Sequence, residues 1–132
     1  AEIWLDGGHN PGAGEVIAEA MAAMEERKAR PLHLVVGMIN TKDPIGYFRA
    51  FTGIAHAVYT VPIEGSDVGL DPVALAQSAA DAGLTALPMG SLGEALNAIA
   101  ERTAGGPPPR IMIGGSLYLA GNVLAQNGTI PT

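Results

Sequence analysis

Three short stretches of this chain gather residues able to do chemistry. The first is Leu5-Asp6-Gly7-Gly8-His9-Asn10-Pro11. It puts a carboxylate, an imidazole and an amide into one loop. An apolar run, Ile3-Trp4-Leu5, ends at Asp6, and two glycines permit a sharp turn. Asn10 suits an N-cap and Pro11 a first helical position. The loop therefore joins the end of a strand to the start of a helix, the edge where open α/β sheets hold ligands. A carboxylate there suits a ribose hydroxyl or a metal. The competing reading makes Asp6 a turn lock and His9 polar loop surface.

The second stretch is Lys42-Asp43-Pro44, after the apolar run Leu32–Met38. Asp43 reads as an N-cap before proline. Lys42 either approaches a phosphate or is a solvated loop lysine. The third is Gly114-Gly115-Ser116, after Ile111–Ile113. Free N–H groups at a helix start plus a hydroxyl make a carboxylate site. A plain serine cap would use the same atoms.

Other residues read as structural. Gly12-Ala13-Gly14 fails as a dinucleotide fingerprint, because the third glycine of G-x-G-x-x-G falls at Ile17. Close backbone packing explains these glycines better. His33 and His56 stand near strand starts without partners at metal-ligand spacing, and read as structural or surface histidines. Trp4 reads as core, and Tyr118 as packed against the sheet or a cleft wall. Ser66 and Asp67 lie in a polar loop with no legible Ser-His-Asp arrangement. No metal site is expected. No G-x-x-x-x-G-K-[ST] phosphate loop occurs anywhere, so its lysine and Mg²⁺-binding hydroxyl are absent as well.

The elements that must position these residues alternate. Apolar runs predict strands at Ile3–Leu5, Leu32–Met38, Ala55–Ile63, Leu84–Leu87 and Ile111–Ile113. Several lack polar alternation, as in a sheet covered on both faces. Val16, Ile17, Ala20, Met21 and Met24 form a helical stripe. Asp43-Pro44 and Asp71-Pro72 repeat the start seen at Asn10-Pro11, Ser91-Leu92-Gly93-Glu94 is a capping box, and a last helix follows Ser116. The pattern predicts an α/β fold: a mostly parallel, doubly wound, Rossmann-like sheet of five or six strands in one three-layer domain spanning residues 1–132.

Composition narrows the partners. The 132 residues carry 7 Lys and Arg against 13 Asp and Glu, a net charge of −6. That balance argues against nucleic-acid and anionic-membrane binding, but not against ATP. With 48% apolar residues the chain can fill a core, and with no cysteine it has no thiolate or disulfide chemistry. No run reaches membrane-spanning length and no signal peptide is visible, so a cytoplasmic location is expected. The chain opens Ala-Glu-Ile-Trp, almost inside its first strand, and reads as a piece of a longer protein. Thr129–Thr132 reads as a frayed tail.

The same motifs carry a family resemblance. Asp-Gly-Gly-His-Asn-Pro resembles the D-G-A-H-N-P signature of the C-terminal domain of folylpolyglutamate and dihydrofolate synthases, in the Mur ligase superfamily. Gly8 stands where that family often has Ala. Val35-Val36-Gly37-Met38 with Lys42-Asp43 resembles its V-V-G-M…K-D stretch, and Gly115-Ser116-Leu117-Tyr118-Leu119-Ala120-Gly121 its G-S-L-Y-L-x-G stretch. The three keep the family's order.

The resemblance implies an ATP-dependent ligase adding glutamate to folate, with or without dihydrofolate synthase activity. In that reaction ATP phosphorylates a folate carboxylate, and the glutamate amine displaces phosphate to give an amide. The resemblance implies that Asp6 contacts ATP, with His9 beside it facing an interdomain cleft. It also implies that Gly115 and Ser116 lie near the incoming glutamate, and that Lys42 is a further cleft residue. ATP and Mg²⁺ would be bound mainly by a separate N-terminal P-loop domain. The domain alone would have no catalytic residues of its own and no activity. Two alternatives stand beside this reading. One is a free-standing Rossmann-like nucleotide- or carboxylate-binding module. The other is a ligase of peptidoglycan precursors, against which the Gly-Ser-Leu-Tyr-Leu stretch argues.

Overall fold

Proline-led caps set the helices of this chain. The computed structural model describes residues 2–6, 10–39, 43–63 and 69–115. Helix α1 (Pro11–Arg27) starts where the Asn10 side chain accepts the Ala13 N–H at 2.8 Å. Helix α2 (Pro44–Arg49) starts where Asp43 accepts the Gly46 N–H at 2.9 Å. Asp71 accepts the Ala74 N–H at 3.4 Å at the head of α3 (Pro72–Asp81). In each case a side-chain oxygen satisfies an orphan donor and proline occupies a position that needs none. Ser91 caps α4 (Leu92–Thr103) through the Glu94 N–H at 3.1 Å. The box is modified: the Glu94 carboxylate accepts from the Gly90 N–H, at 2.6 Å, one residue before the cap.

Five strands make one sheet: β1 (Glu2–Leu5), β2 (Leu32–Val36), β3 (Ala57–Thr60), β4 (Ala86–Pro88) and β5 (Arg110–Gly114). Their order is β1-β5-β2-β3-β4 and every pairing is parallel. From β1 to β4 each crossover moves the same way across the sheet. The preferred right-handed connection then stacks α1, α2 and α3 on one face. The return from β4 to β5 runs backwards and puts α4 on the other. The core divides accordingly. Ile17, Met21, Leu34, Val36, Tyr47, Phe48, Phe51, Leu75 and Met112 pack on the three-helix face. Val35, Tyr59, Val61, Leu92, Ile99, Ile111 and Ile113 pack on the α4 face. The α/β, doubly wound, three-layer fold expected from the sequence is the fold observed. The strands are shorter than their apolar runs, because Gly37-Met38 and Val61–Ile63 continue as buried loop rather than ladder.

Trp4 corrects the sequence reading. It is 42% exposed, as are its neighbours Ile3 (46%) and Leu5 (38%). β1 is an edge strand with a single partner, β5, so an apolar residue there gains only part of the cover given to a central strand. The Trp4 indole N–H donates to Glu2 Oε1 at 2.8 Å, two residues back on the same face. Glu2 also accepts from Arg110 Nε at 3.2 Å. That buried guanidinium donates on to the Lys28 carbonyl at 3.0 Å and meets Glu25 at 3.5 Å. The indole and then the Arg110 hydrogen bond hold the Glu2 carboxyl below its ordinary value. Strand β1, helix α1 and strand β5 are thereby tied at the N-terminal edge of the sheet.

The helix expected after Ser116, Tyr118 within it, the tail, and the Ser66-Asp67 loop lie outside the described residues.

Candidate functional site

Strand order brings together the strand ends that lead into the three chemical stretches. β5 runs between β1 and β2, so the C-terminal ends of the strands leading to Asp6, Gly115 and Gly37 are neighbours. Asp6 extends the β1 ladder by donating its N–H to the Ile113 carbonyl at 2.9 Å. Gly37 extends β2 by donating to the Gly114 carbonyl at 3.3 Å. Three segments separated by many residues in sequence thus end side by side, on the edge from which every helix starts.

Gly115 is what lets them close up. Its φ is +94°, a backbone state that L side chains rarely adopt. A Cβ at this position would stand 2.5 Å from the Gly37 carbonyl oxygen and 2.9 Å from Val36. The glycine therefore serves both the turn and the close contact between the β5 and β2 ends. Gly14 has the packing role expected of it. A Cβ there would come within 2.8 Å of the Tyr47 carbonyl oxygen, so α1 rests directly on α2.

Tyr47 was not singled out by sequence reasoning, and it belongs to this edge. Between Ile45 and Phe48 it has the appearance of ordinary apolar filling. Its ring is fully buried against Phe48 and Phe51, but its hydroxyl reaches the strand ends. The oxygen would lie 2.9 Å from a Cβ on Gly114, and the Asp6 carbonyl oxygen is 3.4 Å from the same point. Among the described residues the hydroxyl has no hydrogen-bond partner. Burial first, and the negative charge of Asp6 second, push the phenol far above its ordinary value, so it keeps its proton. A permanent donor with no acceptor among the described residues is thus buried below Asp6 and Gly114. An orphaned buried donor beside a half-buried carboxylate fits an edge that receives a polar ligand.

Of the residues nominated from sequence, Asp6 and Gly115 are brought together on one edge. His9, Lys42 and Ser116 lie outside the described residues. Asp43 is the α2 cap that the sequence suggested. His33 is buried and His56 exposed, both at the opposite edge of the sheet. There they line a cavity of about 710 Å³ that sequence reasoning did not anticipate. Among the described residues, no three His, Asp or Glu side chains gather in a metal-binding group. Nor is any helix among them long and apolar enough to cross a membrane.

No protein-family model matches the chain. In sequence, it is 32% identical over 122 residues to folylpolyglutamate synthase of Lacticaseibacillus casei, a match covering 92% of this chain and 26% of that enzyme. In structure, it is similar to Mycobacterium tuberculosis folylpolyglutamate synthase complexed with ADP and AMPPCP, with a TM-score of 0.81 and 24% identity over 98% of this chain and 30% of that one. It is also similar to the bifunctional folylpolyglutamate/dihydrofolate synthase of Yersinia pestis complexed with AMPPNP and a Mn ion, with a TM-score of 0.75 and 21% identity over 97% of this chain and 30% of that one. The structural likenesses speak for the fold. The chain spans between about a quarter and a third of the length of these proteins.

Proposed function

We propose that this chain, a relative of folylpolyglutamate synthases, is the C-terminal domain of a cytoplasmic ATP-dependent ligase that adds glutamate to folate. The observation that carries the proposal is the convergence of the Asp6, Gly37 and Gly115 strand ends across β1, β5 and β2. Asp6, Gly37 and Gly115 each belong to one of the three motifs on which the family resemblance rests.

The edge fits part of an ATP and glutamate site. Asp6 would accept from a nucleotide ribose hydroxyl, with His9 next to it. Gly115 and Ser116 would offer N–H and hydroxyl donors to the glutamate carboxylate, and Lys42 would face the acyl phosphate. Tyr47 supplies a buried donor, unpaired among the described residues, next to the strand ends. ATP supplies the phosphoryl group that activates the folate carboxylate. A divalent cation, Mg²⁺ in this reading, does not fit the described residues, which form no three-ligand group. It belongs with the P-loop domain, whose signature this chain lacks. Catalysis would then rest on closing two domains around positioned reactants.

The test compares the chain with the full-length polypeptide carrying that N-terminal domain. Glutamate- and folate-dependent ADP release is expected from the full-length protein and none from the chain alone. Release by the chain alone, or its absence from the full-length protein with every folate offered, refutes the ligase reading. Tight ATP and glutamate binding by the chain, unaltered by the second domain, would favour the free-standing binding module instead.

A further inference from the structure

The opposite edge of the sheet holds a cluster for which the ligase reading has no use. Strands β2 and β3 begin there and α4 ends there. The cavity of about 710 Å³ between them is lined by Pro31, His33, His56, Tyr59, Arg102 and Pro107, among others. That volume suits a small organic ligand and exceeds the needs of a simple ion. Its floor is fixed: His33 is 2% exposed, Tyr59 is fully buried, and the Tyr59 hydroxyl lies 3.3 Å from His33 Nδ1. The rings of His33 and His56 are 5.2 Å apart, and Arg102 Cζ stands 5.9 Å from the Tyr59 ring centre.

Charge gives the cavity its character. The chain carries 13 acidic residues, yet no Asp or Glu is among the described residues that line it. Arg30 and Arg110 at the same edge are paired with Glu2 and Glu25. Arg102 rests on an aromatic face and makes no ion pair among the described residues. It stands in the last turn of α4, where the helix's negative end favours a cation. An acidic chain has thus placed an arginine beside two imidazoles at one cavity with no Asp or Glu among its described lining, and the guanidinium's field attracts an anion. The exposed His56 ring and two prolines supply flat walls over the buried His33–Tyr59 pair.

We propose that this cavity binds a small planar organic anion, an aromatic ring carrying a carboxylate. The ring lies against the exposed His56 ring and the Pro31 and Pro107 walls, above the buried His33–Tyr59 pair, and the carboxylate meets Arg102. The groups facing the ligand are His33 from β2, His56 and Tyr59 from the β3 segment, and Arg102 from α4. Burial, and next the neighbouring His56 and Arg102, hold the His33 imidazole below its ordinary value, so it is neutral near pH 7. A bound carboxylate opposes that shift. Binding therefore takes up a proton and tightens as pH falls.

The test uses the 132-residue chain and follows its histidine imidazole resonances, assigned by His33→Gln and His56→Gln. Benzoate is the probe; inorganic phosphate supplies charge without a ring, and benzyl alcohol a ring without charge. Benzoate is expected to shift the His33 and His56 signals saturably, with a Kd of about 1 mM. Binding should be several-fold tighter near pH 6 than near pH 8. Phosphate and benzyl alcohol should each bind about tenfold more weakly or worse. Arg102→Gln, on an exposed side chain, should keep the melting temperature and weaken benzoate about tenfold. No saturable shift below about 10 mM benzoate overturns the proposal. So does equal binding of either control, or benzoate binding indifferent to Arg102→Gln.

Discussion

Replacing Asp6 by alanine in the full-length protein separates a ligand contact from a turn contact. The side chain is half-buried at a strand end, so its removal opens no core cavity. Its backbone N–H, which donates to the Ile113 carbonyl at 2.9 Å, survives the change. Loss of a turn contact then costs about 1 kcal/mol, equivalent to about 4 °C in melting temperature for a domain of this size. Loss of a charge-assisted hydrogen bond to a ribose hydroxyl costs about 1.5–3 kcal/mol of ATP binding, roughly tenfold to a hundredfold. Ser91→Ala is the matched control. It removes a helix cap of similar strength at the same edge, but beside β4, at the far side of the sheet from β1. Four inter-strand steps put the two about 19 Å apart. Steady-state KM for ATP and thermal melts should show both variants slightly destabilised and Asp6→Ala alone impaired for ATP. Equal destabilisation with unchanged KM in both would make Asp6 a structural turn residue and remove the nucleotide assignment.

Three further outcomes follow from the geometry. Tyr47→Phe removes a buried hydroxyl without a partner, so urea unfolding of the chain should show unchanged stability or a gain of up to about 1 kcal/mol; a larger loss would mean the hydroxyl is satisfied. Gly115→Ala forces a side chain into φ +94° and against the Gly37 carbonyl, and should cost about 2 kcal/mol or more; a neutral result would contradict the close approach of β5 and β2. Burial holds the folded-state His33 imidazole below its ordinary value of about 6.5, so above that pH it is neutral in both states and contributes no pH dependence. As pH falls from there towards the folded value, the unfolded chain takes the proton first and stability is lost. Unfolding free energies between about pH 7.5 and 5.5 should fall more steeply for the wild type than for His33→Gln; parallel curves would refute the assignment.

Local structure was legible because its causes are local. A capping side chain followed by proline announces a helix start within two residues, and Asn10, Asp43 and Asp71 all do so. Strand existence followed from apolar runs, but strand ends did not. Met38 and Val61 are as buried as the ladder residues before them, and hydropathy cannot tell buried loop from buried strand. Trp4 failed for a related reason: its burial depends on a neighbour, and nothing in Ile3-Trp4-Leu5 says that β1 lies at the edge. The motifs identified Asp6 and Gly115, while their adjacency depends on β5 entering between β1 and β2. Tyr47 was hidden by its company, because a phenol among Ile45, Phe48 and Phe51 carries no sign that its oxygen will emerge at a strand end. His33 and His56 looked solitary since their relation runs across β2 and β3, through a pairing of His33 with Ala57.

The place of β5 also bears on when the site can exist. Among the described strands β1 pairs only with β5, and the Glu2–Arg110 contact closes a loop of 108 residues. Such a contact is among the last a chain can make, because its closure entropy is spent before any reward arrives. During synthesis β2, β3 and β4 can assemble with α2 and α3 while β1 has no native partner. The edge of β2 that β5 will occupy is then open, and β1 is the apolar segment free to dock there out of order. Insertion of β5 expels that competitor and draws the Asp6 end into register with Gly115. Emergence of β5 and assembly of the chemical edge are one kinetic event, so a chain cut short before Arg110 would retain a folded half-sheet and no site.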